Sequence, residues 1–269
     1  MQTPAPKVIS ASRRTDLVAW YPDWLADKLE VLGRESIHTV VIWTKNPRNM
    51  LLHDRLREAL CAQDQVFVHL TITGMGGTAM EPRIPHADEI LAILPDLVAL
   101  CGSPERVVWR FDPILLRQDS AGAHDNLDRF DEIAPVVVSC GIRRVITSIC
   151  SLYPKVLKRF RSCSDLTPIE PDSDERLGIR RFMADRARET GLELSWCCES
   201  GETSARCIDG ELLTRLHPRG EGASCNKATG QRPACGCTRS LDIGWYGQLC
   251  RSGCLYCYAN PVIKQKKTD

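Results

Sequence analysis

The sequence lacks the features that would place it in a membrane, in a secretory pathway or on a strongly charged partner. No apolar run approaches the roughly eighteen residues that a membrane span requires, and the first residues lack the basic-then-apolar layout of a signal peptide. The 35 basic and 34 acidic side chains leave a net charge of +1, and the paired basic residues are not interleaved with aromatics. We therefore expect a cytoplasmic chain with no membrane partner, and nucleic acid is not supported as a partner.

Cysteine, by contrast, is abundant. The 269 residues include 14 cysteines, and seven of the cysteines fall between Cys207 and Cys257. A chain of this length without a secretory signal is expected in a reducing compartment, where clustered thiols serve metal or redox sites more often than disulfides. The cysteine pattern therefore predicts a metal or redox centre.

Alternating strand and helix patterns predict the fold. Apolar runs bounded by turn signals predict six strands, at residues 8–12, 38–43, 66–72, 106–111, 143–149 and 192–197. Amphipathic helical patterns lie between them, and this alternation requires crossovers and a parallel sheet. The prediction is an α/β fold, a partial (β/α)6 TIM-like barrel, with a full eight-unit barrel as its rival. Residues 1–199 form this barrel, and residues 200–269 form a Cys-rich, metal-binding C-terminal segment that packs on its mouth.

Polar residues follow several of the predicted strands. They are Arg13, Arg14 and Asp16 after the first strand, Lys45 and Asn46 after the second, Arg110 and Asp112 after the fourth, and Glu199 after the sixth. The carboxyl ends of parallel strands share one face, which is where such barrels hold their active sites. The alternative for each residue is a structural role, as a helix cap, a turn or a local ion pair.

The tail carries the most specific motif, a C-x3-C-x2-C arrangement of Cys250, Cys254 and Cys257 with Tyr256 before its last cysteine. Three thiolates suit a [4Fe-4S] cluster with one iron left open, and S-adenosylmethionine (SAM) binds such an iron in radical enzymes. The expected chemistry is reductive cleavage of SAM to a 5′-deoxyadenosyl radical, which takes a hydrogen atom from the substrate. The alternative is structural zinc, bound by Cys254 and Cys257 with Cys235 and Cys237.

Further cysteines predict a second site. Its expected ligands are Cys198, Cys207, Cys235 and Cys237, with Cys197 and Cys225 as substitutes. Four thiolates would close the coordination of a second [4Fe-4S] cluster or of a zinc ion. The alternative is that several of these thiols are free.

Six segments together carry a resemblance to a known family. They are SRRTD at 12–16, WTKNP at 43–47, RFDP at 110–113, QRPACGC at 231–237, DIG at 242–244 and CLYCYAN at 254–260. In this combination the chain resembles the bacterial family named domain of unknown function 1848, whose cysteine tail is similar to the radical SAM cluster motif. The resemblance implies a radical-SAM-like barrel and an iron–sulfur cluster, and it implies no substrate. The end of the tail also resembles the cluster loop of spore photoproduct lyase, over a short stretch.

The chain departs from the radical SAM pattern in two ways. Its three cysteines lie near the C-terminus instead of after the first strand, and Lys45 and Asn46 stand where a Gly-Gly-Glu run is common. The tail must therefore fold back over the barrel mouth to place the cluster there.

The radical SAM interpretation implies roles for the predicted residues. The SAM carboxylate or an anionic substrate would be held by Arg13, Arg14, Lys45 or Arg110. The SAM ammonium or ribose would be held by Asp16, Asp112 or Glu199. The adenine would pack near Tyr256. The electron would come from a donor such as flavodoxin or ferredoxin. The alternative function is a non-catalytic binding module, stabilised by zinc or an iron–sulfur cluster and associated with nucleic-acid repair.

Overall fold

The computed structural model describes residues 5–163, 165–199, 204–245 and 247–263. The strands are β1 (Lys7–Ala11), β2 (Ile37–Thr44), β3 (Val66–Thr71), β4 (Val107–Ile114), β5 (Leu116–Asp119), β6 (Gly122–His124), β7 (Arg144–Ile149), β8 (Thr167–Ile169), β9 (Glu193–Trp196) and β10 (Leu241–Asp242). The helices are α1 (Leu17–Trp20), α2 (Pro22–Leu32), α3 (Arg48–Leu52), α4 (Asp54–Cys61), α5 (Ala87–Leu91), α6 (Leu94–Cys101), α7 (Asp128–Ser139), α8 (Pro154–Cys163), α9 (Ser173–Thr190) and α10 (Gly210–Leu216).

A seven-stranded sheet organises the chain, in the order β10-β1-β2-β3-β4-β7-β9. All of its neighbouring strands are parallel. The six predicted strands correspond to β1, β2, β3, β4, β7 and β9, and they lie side by side in chain order. The prediction of an α/β fold with a parallel sheet is therefore confirmed.

Four short strands were not predicted. β10 extends the sheet by pairing Leu241 and Asp242 with Ile9 and Ser10 of β1. β6, β5 and β8 form a separate antiparallel sheet. With two to four residues each, these strands are too short to show a period of two in the sequence.

Both faces of the parallel sheet are covered by protein. On one side, which we term the helical face, the strands pack against the helices from α1 to α9 in the larger core. On the other side, the tail face, Val41, Phe67 and Val108 pack against Ile208 and Leu213. Because both faces are buried, the central strands read as continuous apolar runs and not as alternating ones.

The C-terminal tail, residues 204–263, also contacts the loop after β1 and the helices that follow it. Thr15 donates a hydrogen bond to the backbone oxygen of Gln248 at 3.1 Å, and the Trp20 ring donates to the Ser252 hydroxyl at 2.9 Å. The expected boundary between residues 199 and 200 adjoins residues 200–203, which lie outside the described part, so the division stays a prediction. Among the described helices, none is long and apolar enough to cross a membrane.

Candidate functional site

A cavity of about 440 Å³ lies where the parallel strands end. Its wall is formed by the loops after β1 and β2, the ends of β3, β4 and β7, and two parts of the tail. Most of the predicted site residues line this cavity, namely Arg13, Arg14, Asp16, Lys45, Arg110, Asp112, Cys207, Cys235, Cys237, Cys250, Cys254, Tyr256 and Cys257. The structure thus brings together both cysteine groups and the charged residues of three loops.

The loop after β1 is held in one conformation by its own residues and by the tail. Ser12 has a positive φ of 60°, which is uncommon for a residue with a Cβ, and its Oγ accepts a hydrogen bond from the Arg14 amide at 3.3 Å. Gly244 lies so close that a Cβ added to it would stand 2.3 Å from Ser12 Oγ. The Tyr258 hydroxyl donates to the backbone oxygen of Arg13 at 2.8 Å. The position of Arg13 is therefore fixed by contacts from distant parts of the chain.

Asp16 links the loops after β1 and β2. Its Oδ1 accepts from the Ala19 amide at 3.0 Å, which caps α1. Its Oδ2 accepts from the Thr44 hydroxyl at 3.0 Å and from the Lys45 amide at 2.8 Å. Burial raises the pKa of Asp16 from 3.8 to about 6, although these hydrogen bonds oppose the rise. The structure thus gives Asp16 the capping role that the sequence left as an alternative.

Lys45 belongs to a buried polar network that the sequence analysis missed. Its Nζ lies 2.8 Å from Oε1 of Glu81, which also accepts from the Thr73 hydroxyl at 2.9 Å and from the Tyr256 hydroxyl. Glu81 is only 1% exposed. Burial tends to lower the pKa of Lys45, but Glu81 outweighs it and the pKa rises. Tyr256, expected beside an adenine, is instead anchored to this carboxylate.

Arg110 and Asp112 form an ion pair on β4 that faces the cavity. Asp112 also accepts a hydrogen bond from the Ser148 hydroxyl at the end of β7. The ion pair was the structural alternative for these two residues, and both still line the cavity. Their charges largely cancel, so this pair adds little net charge to the site.

The loop of Cys250, Cys254 and Cys257 is mostly buried and is held by hydrogen bonds to its backbone. Arg159 donates to the backbone oxygens of Cys254, at 3.4 Å, and of Cys257. The amide of Leu255 donates to the Met80 oxygen at 3.1 Å. These contacts place all three cysteines at the wall of the cavity.

These thiols are largely shielded from water. Burial raises the pKa of Cys254 well above its ordinary value and raises that of Cys257. The Ala259 amide donates to the Cys257 sulfur at 3.3 Å, a contact of the kind that stabilises a thiolate. Buried thiols with raised pKa values become thiolates when a metal binds them, because coordination removes the proton.

The second cysteine group lies at the tail face of the same cavity. The thiol of Cys207 interacts with those of Cys197 and Cys237, and the thiol of Cys235 interacts with that of Cys237. The interaction with Cys207 lowers the pKa of Cys197 to about 7. Cys198, a predicted ligand with a φ of 59°, does not line the cavity, and burial raises the pKa of its thiol. Cys197, which was predicted only as a substitute ligand, stands at the cavity wall.

These thiols do not form a preassembled site for one metal ion. Among the described residues, no group of three or more His, Cys, Asp or Glu side chains is arranged to hold a single ion. Zinc would require its thiolates to converge at about 2.3 Å from one centre. A [4Fe-4S] cluster binds each thiolate to a different iron and holds the sulfurs farther apart. Three thiols in one short loop, two of them buried, supply the donors that such a cluster needs.

Two predicted residues take structural roles outside the cavity wall. Glu199 forms ion pairs with Arg176 and Arg180 of α9, at 3.7 and 3.2 Å. The Asn46 side chain accepts a hydrogen bond from the Arg48 amide at 3.4 Å, in the turn that begins α3. These local partners compete with a cofactor for the same polar atoms, which explains why the strand-end rule failed for Glu199 and Asn46.

Arg232 and Tyr153 also line the cavity. Tyr153 lies between β7 and α8, and Arg232 belongs to the QRPACGC segment of the family motif. The Nη2 of Arg232 lies 3.8 Å from the Cys197 sulfur. No periodic pattern surrounds Arg232, so its position could be inferred only from the neighbouring cysteines of its motif.

The comparisons with known proteins agree with the motifs on the family. A family model described as a domain of unknown function (DUF1848) matches residues 8–259. The chain belongs to the DUF1848 family. The match spans the loop after β1, the ion pair on β4 and both cysteine groups, so the residues at the cavity of this DUF1848 chain lie within the matched region.

Solved structures show only distant likeness to this DUF1848 chain. SuiB of Streptococcus suis, in a crystal structure bound to S-adenosylmethionine, matches at 10% identity and a TM-score of 0.40, covering 80% of this chain and 53% of that one. Phosphonopyruvate hydrolase, in a complex with oxalate and Mg²⁺, matches at 12% identity and a TM-score of 0.31, covering 80% and 64%. The chain thus spans less than two thirds of either protein. A search of curated proteins gave no match.

Proposed function

We propose that this DUF1848 chain is an iron–sulfur enzyme of the radical SAM type. Cys250, Cys254 and Cys257 would bind three irons of a [4Fe-4S] cluster and leave the fourth iron open to SAM. When reduced, such a cluster supplies the electron that cleaves SAM, and the adenosyl radical then takes a hydrogen atom from the substrate. The proposal includes a partial (β/α)6 barrel as the scaffold.

One observation carries this proposal. The three cysteines of a C-x3-C-x2-C loop, of which Cys250 and Cys254 are buried and Cys257 is half-buried, line the same cavity as the loops at the carboxyl ends of the parallel strands. Active sites of α/β barrels occupy this end of the strands, because the loops there can vary without disturbing the core. The tail supports the proposal by returning to β1 through β10, which brings its cysteines beside the first loop.

The chain's own residues would hold and orient the reacting groups. Arg159 fixes the backbone of the cysteine loop, and Glu81 fixes Lys45 and Tyr256 at its side. Because the carboxylate oxygens of Asp16 are engaged in capping, Asp112 is the stronger candidate for the SAM ammonium or ribose. Binding there would require Asp112 to share its bonds with Arg110 and Ser148.

The second cysteine group forms part of the same proposal. Cys207, Cys235 and Cys237, with Cys197 or Cys198, would bind a second [4Fe-4S] cluster or a zinc ion. Arg110 and Arg232 lie near these sulfurs and would balance the negative charge of bound thiolates. The electron would come from a cytoplasmic donor such as flavodoxin or ferredoxin.

Metal analysis of the anaerobically purified chain tests the function. We expect about four irons and four sulfides per cluster, with an electron paramagnetic resonance signal after dithionite reduction that SAM alters. The Cys254→Ser/Cys257→Ser double variant should lose that signal. Cys101→Ser is the matched control, because Cys101 is also buried but lies in α6, away from the cavity wall.

Two outcomes would refute the proposal. Zinc without iron would leave the alternative of a non-catalytic, metal-stabilised module. A cluster signal that SAM does not change, or a SAM-dependent signal that persists in the double variant, would show that Cys250, Cys254 and Cys257 do not form an open SAM-binding cluster.

A further inference from the structure

Arg13 is held with its guanidinium group inside the protein. The guanidinium carbon lies 5.2 Å from the centre of the Trp43 ring, a cation–π contact. Trp43 is 7% exposed and is itself stacked on His69, with ring centres 5.2 Å apart. The backbone of Arg13 is fixed by the Tyr258 hydroxyl. The guanidinium is therefore preorganised and has little freedom to turn toward bulk water.

Two nitrogens of the Arg13 guanidinium are left without a partner by the part of the chain that the structure describes. Its Nε and Nη2 are buried and have no hydrogen-bond partner among the described residues. Buried donors of a charged group are costly when unpaired, so such donors are normally matched by an acceptor. A rigid guanidinium with free N–H groups at a cavity wall fits a bound oxyanion.

The neighbouring cations differ from Arg13 in this respect. Lys45 is paired with Glu81, and Arg110 is paired with Asp112. Within the described ranges, no carboxylate is placed against Arg13 at ion-pair distance. The positive charge of Arg13 is therefore available to a ligand, whereas those of Lys45 and Arg110 are already balanced.

We infer that Arg13 binds an oxyanion of the substrate, a carboxylate or a phosphate group, so that the substrate of this cavity is an anionic molecule. The inference rests on the proposed function, because that function makes the cavity the place where substrate binds. Arg232, at the same wall, would add a second positive charge. Trp43 would fix the guanidinium plane, so that two N–H groups point to the two oxygens of one anion.

Anion titration of the whole chain tests this inference. Inorganic phosphate and succinate are the probes, and isothermal titration calorimetry at constant ionic strength is the measurement. We expect saturable binding of at least one probe. The probe that binds more tightly identifies the oxyanion of the substrate as a phosphate or a carboxylate. Arg13→Gln should weaken binding roughly tenfold or more, because charge-assisted hydrogen bonds are lost. Arg13→Lys should retain part of the affinity, since lysine keeps the positive charge but lacks the two parallel N–H donors of the guanidinium.

Arg57→Gln is the matched control. Arg57 lies on α4, is 47% exposed and pairs with Asp54 at 3.0 Å, so the substitution changes the net charge equally without touching the cavity. We expect binding by Arg57→Gln to stay within about twofold of the unmodified chain. Equal weakening by Arg57→Gln and Arg13→Gln would overturn the inference, as would the absence of saturable binding by either probe.

Two further measurements separate the inference from its competitors. If SAM displaces the probe competitively, Arg13 holds the cofactor carboxylate and the inference is wrong. If Arg13→Gln lowers the metal content and leaves anion binding unchanged, Arg13 balances the cysteine thiolates instead, and the inference is again wrong. Probe binding that persists in Cys254→Ser/Cys257→Ser supports the anion site even where iron analysis refutes the radical SAM function.

Discussion

Replacing Glu81 with alanine removes the buried carboxylate that joins the tail to the loop after β3. In the folded chain this carboxylate accepts from Lys45, Thr73 and Tyr256. Alanine leaves the ammonium without its counter-charge and leaves two hydroxyl donors without an acceptor. Glutamine keeps the shape and one acceptor oxygen but removes the charge. The two substitutions therefore separate the charge of Glu81 from its size and its hydrogen bonds.

The magnitude follows from the burial of the pair. The side chain of Glu81 is 2% exposed and that of Lys45 is 18% exposed. Breaking a buried ion pair by removing one partner costs about 3–5 kcal/mol, because the other charge stays uncompensated. Since Lys45 retains some access to water, we expect Glu81→Ala to lose about 3 kcal/mol of unfolding free energy. Glu81→Gln should lose about 1–2 kcal/mol, the difference between a charged and a neutral hydrogen bond.

Urea unfolding at pH 7, followed by circular dichroism in samples of matched metal content, measures these losses. The slope against urea must stay constant for the free energies to be compared. Glu132→Ala is the matched control, since Glu132 is 60% exposed and its pair with Arg129 is worth about 1 kcal/mol or less. A Glu81→Ala variant no less stable than Glu132→Ala would show that Lys45 finds another counter-charge, and the reasoning would be refuted.

Three further predictions concern pH and packing. The pKa of Asp16 is raised from 3.8 to about 6, so the folded state binds the proton more tightly than the unfolded state and the free energy of unfolding falls as pH rises from 4 to 6. Asp16→Asn should remove up to about 3 kcal/mol of that fall, measured by urea unfolding at pH 4 and at pH 7. Burial lowers the pKa of His217 below 6.5, so its contribution is present above pH 6.5 and lost as pH falls, and His217→Gln should flatten stability below pH 6.5. Gly244→Ala should lower the free energy of unfolding by about 1–3 kcal/mol, because the added Cβ clashes with Ser12. Gly178→Ala, on an open helix surface, should raise the free energy of unfolding by up to about 1 kcal/mol in the same urea assay.

The strands were predictable because their signals are local. β1, β2 and β3 are mostly apolar and almost fully buried, which makes them visible in the sequence, whereas β9 is fully buried only at Trp196 and carries the weakest signal of the six. The strand-end rule then placed Arg13, Lys45 and Arg110 at one cavity, since parallel strands carry their carboxyl ends to one side. These inferences need only the order of residues along the chain and the geometry of a parallel sheet.

The parts of the site that escaped prediction depend on long-range contacts. Glu81 lies ten residues beyond the end of β3, and its importance comes from Lys45 and from Tyr256, which is far away in sequence. The only local signal is the cluster of three glycines just before it, where the chain must pack closely. A Cβ at Gly76, for example, would lie 2.0 Å from the Pro85 oxygen. Such a glycine-rich turn indicates close packing, but it does not identify what is packed.

Besides carrying cysteines, the tail covers one face of the parallel sheet. Val41, Phe67 and Val108 point to the face of the sheet opposite α1 to α9, and residues 205–213, which include the start of α10, cover that face. A parallel sheet needs protein on both faces, and this segment of the tail supplies it on the second face. Because the same segment carries Cys207, the thiols of the second group are held by the packing of the sheet itself. Folding of the tail face and assembly of that cysteine group are therefore coupled, and a variant that loosens Ile208 or Leu213 should disturb both together.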